Sequence, residues 1–154
     1  MTDQAISLSW QCCSFESLTA HQLFDILKLR QDVFVLEQHC LYPDIDVKDK
    51  ISHHLMGYHQ QQLAAYLRIV PPDVSYEYPS LGRVVIAESA RQGGCGRQLV
   101  AQGIKAINGL YPGQVIRIGA QTYLSRFYQS FGFQAVSEPY DEDGIEHILM
   151  DKLP

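Results

Sequence analysis

Residues 91–97 read Arg-Gln-Gly-Gly-Cys-Gly-Arg, with Gly93, Gly94 and Gly96 inside four positions. An apolar strand pattern, Arg-Val-Val-Ile-Ala at 83–87, precedes them, and a helical pattern carried by Val100, Ile104 and Ile107 follows. A glycine-rich turn between a strand and a helix can hold an anion. The first amides of a helix have no partner inside it, and the helix dipole favours negative charge at that end. Glycine reaches positive φ and lets a backbone come close to a phosphate. Arg91 and Arg97 can add charge-assisted hydrogen bonds. The chemistry is that of a phosphate or pyrophosphate cradle, and a plain flexible turn is the competing reading. Two other phosphate motifs do not fit. No Lys follows Gly96, as a Walker A pattern requires, and Leu99 stands where a dinucleotide fingerprint needs its third glycine.

A second group of residues could move protons. Leu124, Phe127, Tyr128 and Phe131 share a helical face, which suits core packing as well as a site, and Tyr128 carries a phenol. Glu37, Asp44, Asp46 and Asp49 concentrate acid in one stretch. They could bind and deprotonate a cationic amine, or form a solvated loop with capping aspartates. His53 and His54 point to opposite faces of a strand, so one could serve a cleft as a base, or both could be ordinary strand residues. Glu77 and Tyr78 could reach the mouth of such a site. No metal is expected. The Asp44-x-Asp46 pair lacks further ligands, and Cys12, Cys13, Cys40 and Cys95 contain no Cys-x-x-Cys spacing and read as reduced thiols.

Arg91-x-x-Gly94-x-Gly96 resembles the acyl-CoA motif of the GNAT superfamily of N-acetyltransferases. Phe127-Tyr128-x-x-x-Gly132-Phe133 resembles the second hallmark of that superfamily. Arg30, Val33-Phe34-Val35, Glu37-Gln38 and Tyr42-Pro43-Asp44-x-Asp46 are similar to the ElaA-like branch, so the resemblance spans nearly the whole chain. It implies a single α/β domain over 1–154: a mixed central sheet of about six or seven strands, flanking helices, and an acyl-CoA cleft between two parallel strands. It implies acetyl-CoA as cosubstrate, with Arg91, Gln92, Gly93, Gly94, Cys95, Gly96 and Arg97 around the pyrophosphate. Val84, Val85 and Ile86 would run beside the pantetheine arm, with a backbone N–H near Val85 serving the thioester oxygen. Tyr128 would be the general acid beside the sulfur. The general base would come from Glu37, Asp46 or His54, and the acceptor would be an amine on a small molecule or a protein, its identity left open. The Asn that family members usually carry before the last helix is absent, with Gln121 and Thr122 near its place. The alternatives are a non-catalytic acyl-CoA sensor or docking module, or transfer to a hydroxyl or of a longer acyl group. The resemblance also allows a homodimer.

These residues need a frame. Hydrophobic residues make up 46% of the 154-residue chain, enough for a packed core. The net charge of −5, with no Lys/Arg run, argues against nucleic acid as a partner. The first ten residues lack a basic start, and no apolar stretch approaches the ~20 residues of a membrane span, so a cytoplasmic protein is expected. Ile6, Leu8, Trp10 and Cys12 alternate with polar residues as a first strand. Thr19 with Gln22 predicts a capping box, followed by one helix through Phe34. Two strands flank a turn at 60–62, 83–120 reads strand–helix–strand, Thr122 could cap a short helix ended by Gly132, and two last strands flank Asp-Glu-Asp-Gly.

Overall fold

The structure, a computed structural model, describes residues 5–154; the first four positions of the stretch inspected for a leader lie outside the described residues. Among the described residues, eight strands form two sheets. In the first, β1 (Ser9–Ser14), β2 (His53–His59), β3 (Gln62–Val70) and β4 (Ser80–Ile86) lie in chain order, each antiparallel to the next. In the second, β8 (Ile145–Lys152) pairs β5 (Ile116–Gln121) along one edge, and β6 (Phe133–Ala135) and β7 (Tyr140–Glu142) along the other. The helices are α1 (Ala20–Arg30), α2 (Cys95–Leu110) and α3 (Ser125–Gln129).

Local sequence sets the ends of these elements. Thr19 and Gln22 close the expected capping box on α1. The β2–β3 and β7–β8 hairpins turn on Gln60–Gln61 and Asp143–Gly144, all at positive φ, as two-residue hairpin loops require. Beyond Arg30 the helix widens instead of continuing: Gln31–Glu37 is π-helical, and Gln38 N donates to Val33 O at 2.9 Å. Thr122 does not cap a helix. Its Oγ1 donates to Glu146 Oε1 at 2.9 Å, and a single 3-10 turn, Thr122–Leu124, precedes α3.

The β4–α2–β5 crossover is present, but the two strands form no continuous ladder. They start side by side, with Arg117 N donating to Pro79 O at 3.0 Å, and then part. The cause lies in β4. Tyr66 faces Val85 and Arg68 faces Gly82, so Arg83 and Val84 together oppose Leu67, and Arg83 sits at φ 49°. Such a bulge bends its strand and takes a residue out of the ladder.

Both faces of the first sheet are covered, which explains its near-continuous apolar strands. Leu67 and Ile69 of β3 share a cluster with Leu99, Val100 and Ile107 of α2. Tyr66, Met56 and Val85 share another with Ile26, Val33 and Phe34 from α1 and its extension. Each fully buried Leu or Ile contributes roughly 1.5–3 kcal/mol. α2 approaches β3 closely at Gly103, where a Cβ would lie 2.8 Å from Leu67 Cδ2. Leu67 is fully buried, so it cannot swing away. Gly103→Ala is therefore expected to lower stability by about 1 kcal/mol, overpacking outweighing helix propensity. Gly109→Ala, with open space around its Cβ, should instead gain about 0.5–1 kcal/mol. Urea unfolding of the two variants checks the opposite signs.

Candidate active site

The parting of β4 and β5 opens a cavity of about 980 Å³. Gly82, Arg83 and Val84 line one wall and Ile118, Gly119 and Ala120 the other, with Gly96 and Tyr128 also on its surface.

At the glycine turn, Gln92 and Gly94 have positive φ, and Gly94 is the N-cap of α2. Cys95, Gly96 and Arg97 thus supply the first helical amides. The glycines differ in purpose. Gly93 is packed under the N-terminal segment: a Cβ there would meet Ile6 at 2.5 Å, and Ile6 N donates to Gly93 O at 3.1 Å. Gly94 needs its positive φ. Gly96 has neither reason, since a Cβ would meet only Phe127, at 3.9 Å. A glycine in a helix costs about 1 kcal/mol against alanine. Nothing in the protein's own packing requires that cost at Gly96, and the vacated space adjoins the cavity.

The side chains around this turn are engaged elsewhere. Arg91 makes a two-pronged ion pair with Glu37, Nη2 to Oε2 being 2.9 Å, and also donates to Ile86 O. Arg97 lies 4.8 Å over the Phe131 ring and donates to Ser130 Oγ. The Cys95 thiol does not flank the cradle; it packs with Ala64 and Ala90, and burial pushes its pKa up. Val84 faces the cavity, while Val85 is buried beside Ile26 and Tyr66, and Ile86 packs against core.

Tyr128 belongs to the core and to the cavity wall together. It is 6% exposed, with Phe127 and Phe133 edge-on at 5.2 and 5.9 Å. Burial, with a smaller contribution from Tyr123, pushes its pKa up to about 12.

None of the three expected bases is free. Glu37 is held by Arg91, whose hydrogen bond keeps its carboxyl below the usual range, and it is not part of the cavity wall. His54 is 1% exposed and away from the cavity. Its Nε2 donates to Asp49 O at 2.8 Å, its Nδ1 accepts from the Tyr66 hydroxyl at 2.7 Å, and burial lowers its pKa. It is a satisfied core histidine, and its reading as a base is corrected. Asp46 does reach the cavity, but both its oxygens are occupied. Oδ1 accepts from Lys48 N and Arg68 Nη1, and Oδ2 from Arg68 and Arg83 Nη2.

Asp46 is one corner of a larger lattice. Arg30, fully buried, binds Asp44 at 2.9 Å and Asp49 at 2.7 Å. Arg68 joins Asp46 and Asp49 at 2.6 and 3.0 Å. Arg83 Nε lies 3.0 Å from Asp44 Oδ1 but off the hydrogen-bond axis, a purely ionic contact. Three guanidinium groups thus meet three carboxylates. The acidic stretch is neither a solvated loop nor a free amine site; it anchors the 44–50 segment to β3 and β4.

Sequence reasoning missed the wall opposite. Tyr76, Tyr140, Glu142 and His147 all line the cavity, whereas Glu77 and Tyr78 do not. The signal was there in the alternation of β8: Ile145, His147 and Leu149 share the face that carries the cavity. His53 lies elsewhere, in a surface groove with Cys12 and Cys13.

Two sheets parted at a bulge, with a helix N-terminus at their mouth and a buried tyrosine between them, are the arrangement of the GNAT fold. Residues 19–154 match the family model described as an acetyltransferase (GNAT) domain, and the chain belongs to that family. It is 45% identical to a UPF0039 protein of Synechocystis over 94% of each chain. It is 40% identical to protein ElaA of Escherichia coli over 93% of this chain and 95% of ElaA. The crystal structure of an acyl-CoA N-acyltransferase from Pseudomonas aeruginosa superposes with a TM-score of 0.90 at 40% identity, covering 95% of this chain and 99% of that one. That of Escherichia coli ElaA gives 0.88 at 38% identity, with the same coverage. Among the described residues there is no group of three or more metal-ligating side chains, and no helix is long and apolar enough to cross a membrane.

Proposed function

We propose that the chain transfers an acyl group, acetyl in the first instance, from acyl-CoA to the nitrogen of an amine. The observation that carries this reading is Gly96: a glycine that packing does not require, at bare helical amides beside the parted strands. Those amides and the helix dipole suit a pyrophosphate. The pantetheine arm would lie along Val84, and the thioester oxygen would take a backbone N–H from the Arg83–Val84 bulge, one residue before the Val85 expected from sequence.

The reaction forms a C–N bond and breaks the C–S bond of the thioester. A Lys-like amine has a pKa of about 10.4, so about one in a thousand is free near pH 7.4, and a base must remove a proton. The departing thiolate takes a proton from Tyr128. At a pKa of about 12, that transfer to a thiolate of about 8.5 is uphill by roughly 5 kcal/mol. Tyr128 must therefore give up its proton in concert with C–S cleavage, as the sulfur gains charge, and recover it afterwards. Tyr128→Phe is expected to lower kcat roughly 100-fold while acetyl-CoA affinity stays within about twofold, because only the late proton transfer is lost. Unchanged turnover would return Tyr128 to a packing role.

The direct test is calorimetric titration of acetyl-CoA, with ATP and NADH as controls. Micromolar binding of acetyl-CoA alone is expected. Equal binding of ATP would reduce the site to a general phosphate cradle, and no binding would remove the reading.

A further inference from the structure

We propose that His147 is the general base of the acyl transfer, accepting the acceptor's proton at Nε2, and that Tyr76, Tyr140 and Glu142 form the subsite that receives a primary ammonium. This deepens the acyl-transfer reading and rests on it.

The placement follows from the second sheet. His147 on β8 faces Gln121 of β5 on one side and Tyr140 of β7 on the other, and it is 9% exposed. Tyr140 stacks on its ring, centroids 6.0 Å apart and planes at 29°. The hydroxyls of Tyr140 and Tyr76 both lie over Gly119. A Cβ at Gly119 would lie 2.8 Å from one and 3.0 Å from the other, so that glycine makes room for the pair.

The tautomer is fixed by geometry. His147 Nδ1 lies 2.8 Å from the Ile145 carbonyl, which can only accept, so Nδ1 carries the proton. In the neutral imidazole Nε2 then keeps its lone pair, 3.3 Å from Glu142 Oε2, also an acceptor. In that neutral form two acceptors face each other on the cavity wall. A primary ammonium can donate to both at once. One N–H proton passes to Nε2, and the freed nitrogen pair attacks the thioester carbon. The C–S bond breaks, Tyr128 protonates the thiolate, the second proton of the attacking nitrogen returns through solvent to the Tyr128 phenolate, and Glu142 faces the imidazolium until solvent takes its proton. The charged or titratable groups around the imidazole are Glu142 and Tyr140 of β7, Asp143 in the turn, Tyr76 from the 71–79 loop, and the exposed Glu146 on β8. Burial raises the Tyr140 pKa and holds Tyr76 at about 12, so both stay neutral hydroxyls.

The test compares wild type, His147→Gln and Glu142→Gln by thiol release from acetyl-CoA, with butylamine and benzylamine as acceptors from pH 6.5 to 10. Acetyl-CoA affinity is measured beside it by calorimetry. His147→Gln should bind acetyl-CoA as wild type does but lose 100-fold or more in kcat at pH 7.5. That deficit should shrink as rising pH frees the amine without a base. Added imidazole should restore part of the turnover of His147→Ala. Glu142→Gln should chiefly raise the amine KM, by about tenfold. Normal kcat and an unchanged pH profile in His147→Gln would overturn the assignment, as would a wild type that binds acetyl-CoA but acylates neither amine. Failure of wild type to bind acetyl-CoA would instead overturn the acyl-transfer reading itself.

Discussion

Asp49→Asn is expected to destabilise the protein by about 3–5 kcal/mol, more than any other single substitution considered for stability. Asp49 is 6% exposed and accepts from both Arg30 and Arg68, and from the Asp46 amide at 3.1 Å. Replacing it removes one of three carboxylates that balance three guanidinium groups. Arg30, with no solvent contact, is left paired to Asp44 alone. Breaking one side of a buried ionic pair leaves an uncompensated charge, and that penalty exceeds the net worth of the pair. Lys28–Asp32 is the control. It has the same chemistry at 2.8 Å, but its side chains are 57% and 43% exposed, so Asp32→Asn should change little. The two variants are separated by urea unfolding: a large fall in midpoint at constant m for Asp49→Asn, almost none for Asp32→Asn. Equal midpoints would mean that the lattice is as weak as a surface pair. A pH dependence follows. Burial opposes ionisation of Asp49, but its bonds to Arg30 and Arg68 win, and its pKa lies below the usual value. The folded state therefore binds fewer protons than the unfolded one. The stabilisation is full above the unfolded pKa of about 3.9 and fades as pH falls through the lower folded value. In Asp49→Asn that part of the acid sensitivity should vanish.

The lattice marks the boundary of what could be read in the chain. The capping box at Thr19, the hairpin turns, the strand–helix–strand unit and the glycine turn before α2 are local patterns, and these were legible, although the Thr122 cap was not. Asp44, Asp46 and Asp49 were visible as a cluster, but their partners were not. Arg30, Arg68 and Arg83 lie on three different elements, and a charge's partner depends on tertiary packing. So acids that suggested a free amine site became structural once three arginines met them. Glu37 was lost for the same reason, to an arginine 54 positions away. His54 and His147 show the problem in miniature. Both sit on strands among apolar residues. One pairs with a carbonyl and a tyrosine in the core, the other with a carbonyl and an open carboxylate on the cavity wall. No spacing rule distinguishes them. The π-helical widening after Arg30 and the bulge at Arg83 were equally hidden, because each inserts a residue into an otherwise regular pattern. Yet the bulge is what opens the cleft.

Gly96→Asp should separate binding from folding in opposite directions. Gly96 is the second residue of α2, where an acidic side chain suits the helix dipole by about 0.3–1 kcal/mol. Replacing glycine by aspartate in a helix also recovers roughly 0.1–0.4 kcal/mol, and the new Cβ meets only Phe127, at 3.9 Å. The variant should therefore unfold at the same or a higher urea concentration. If the amides of α2 hold a pyrophosphate, the same carboxylate would occupy its space and repel its charge. Like charges brought together cost several kcal/mol, so acetyl-CoA affinity should fall 100-fold or more. Gly96→Ala gives the intermediate case: similar folding, a steric penalty alone, and a smaller loss of affinity. A simple turn would show the gain in stability with no loss of binding, and that result would leave Gly96 as an unexplained flaw in a helix. Loss of affinity in a protein that has become no less stable would show instead that the helix gives up stability at this position to keep its first amides open to the ligand.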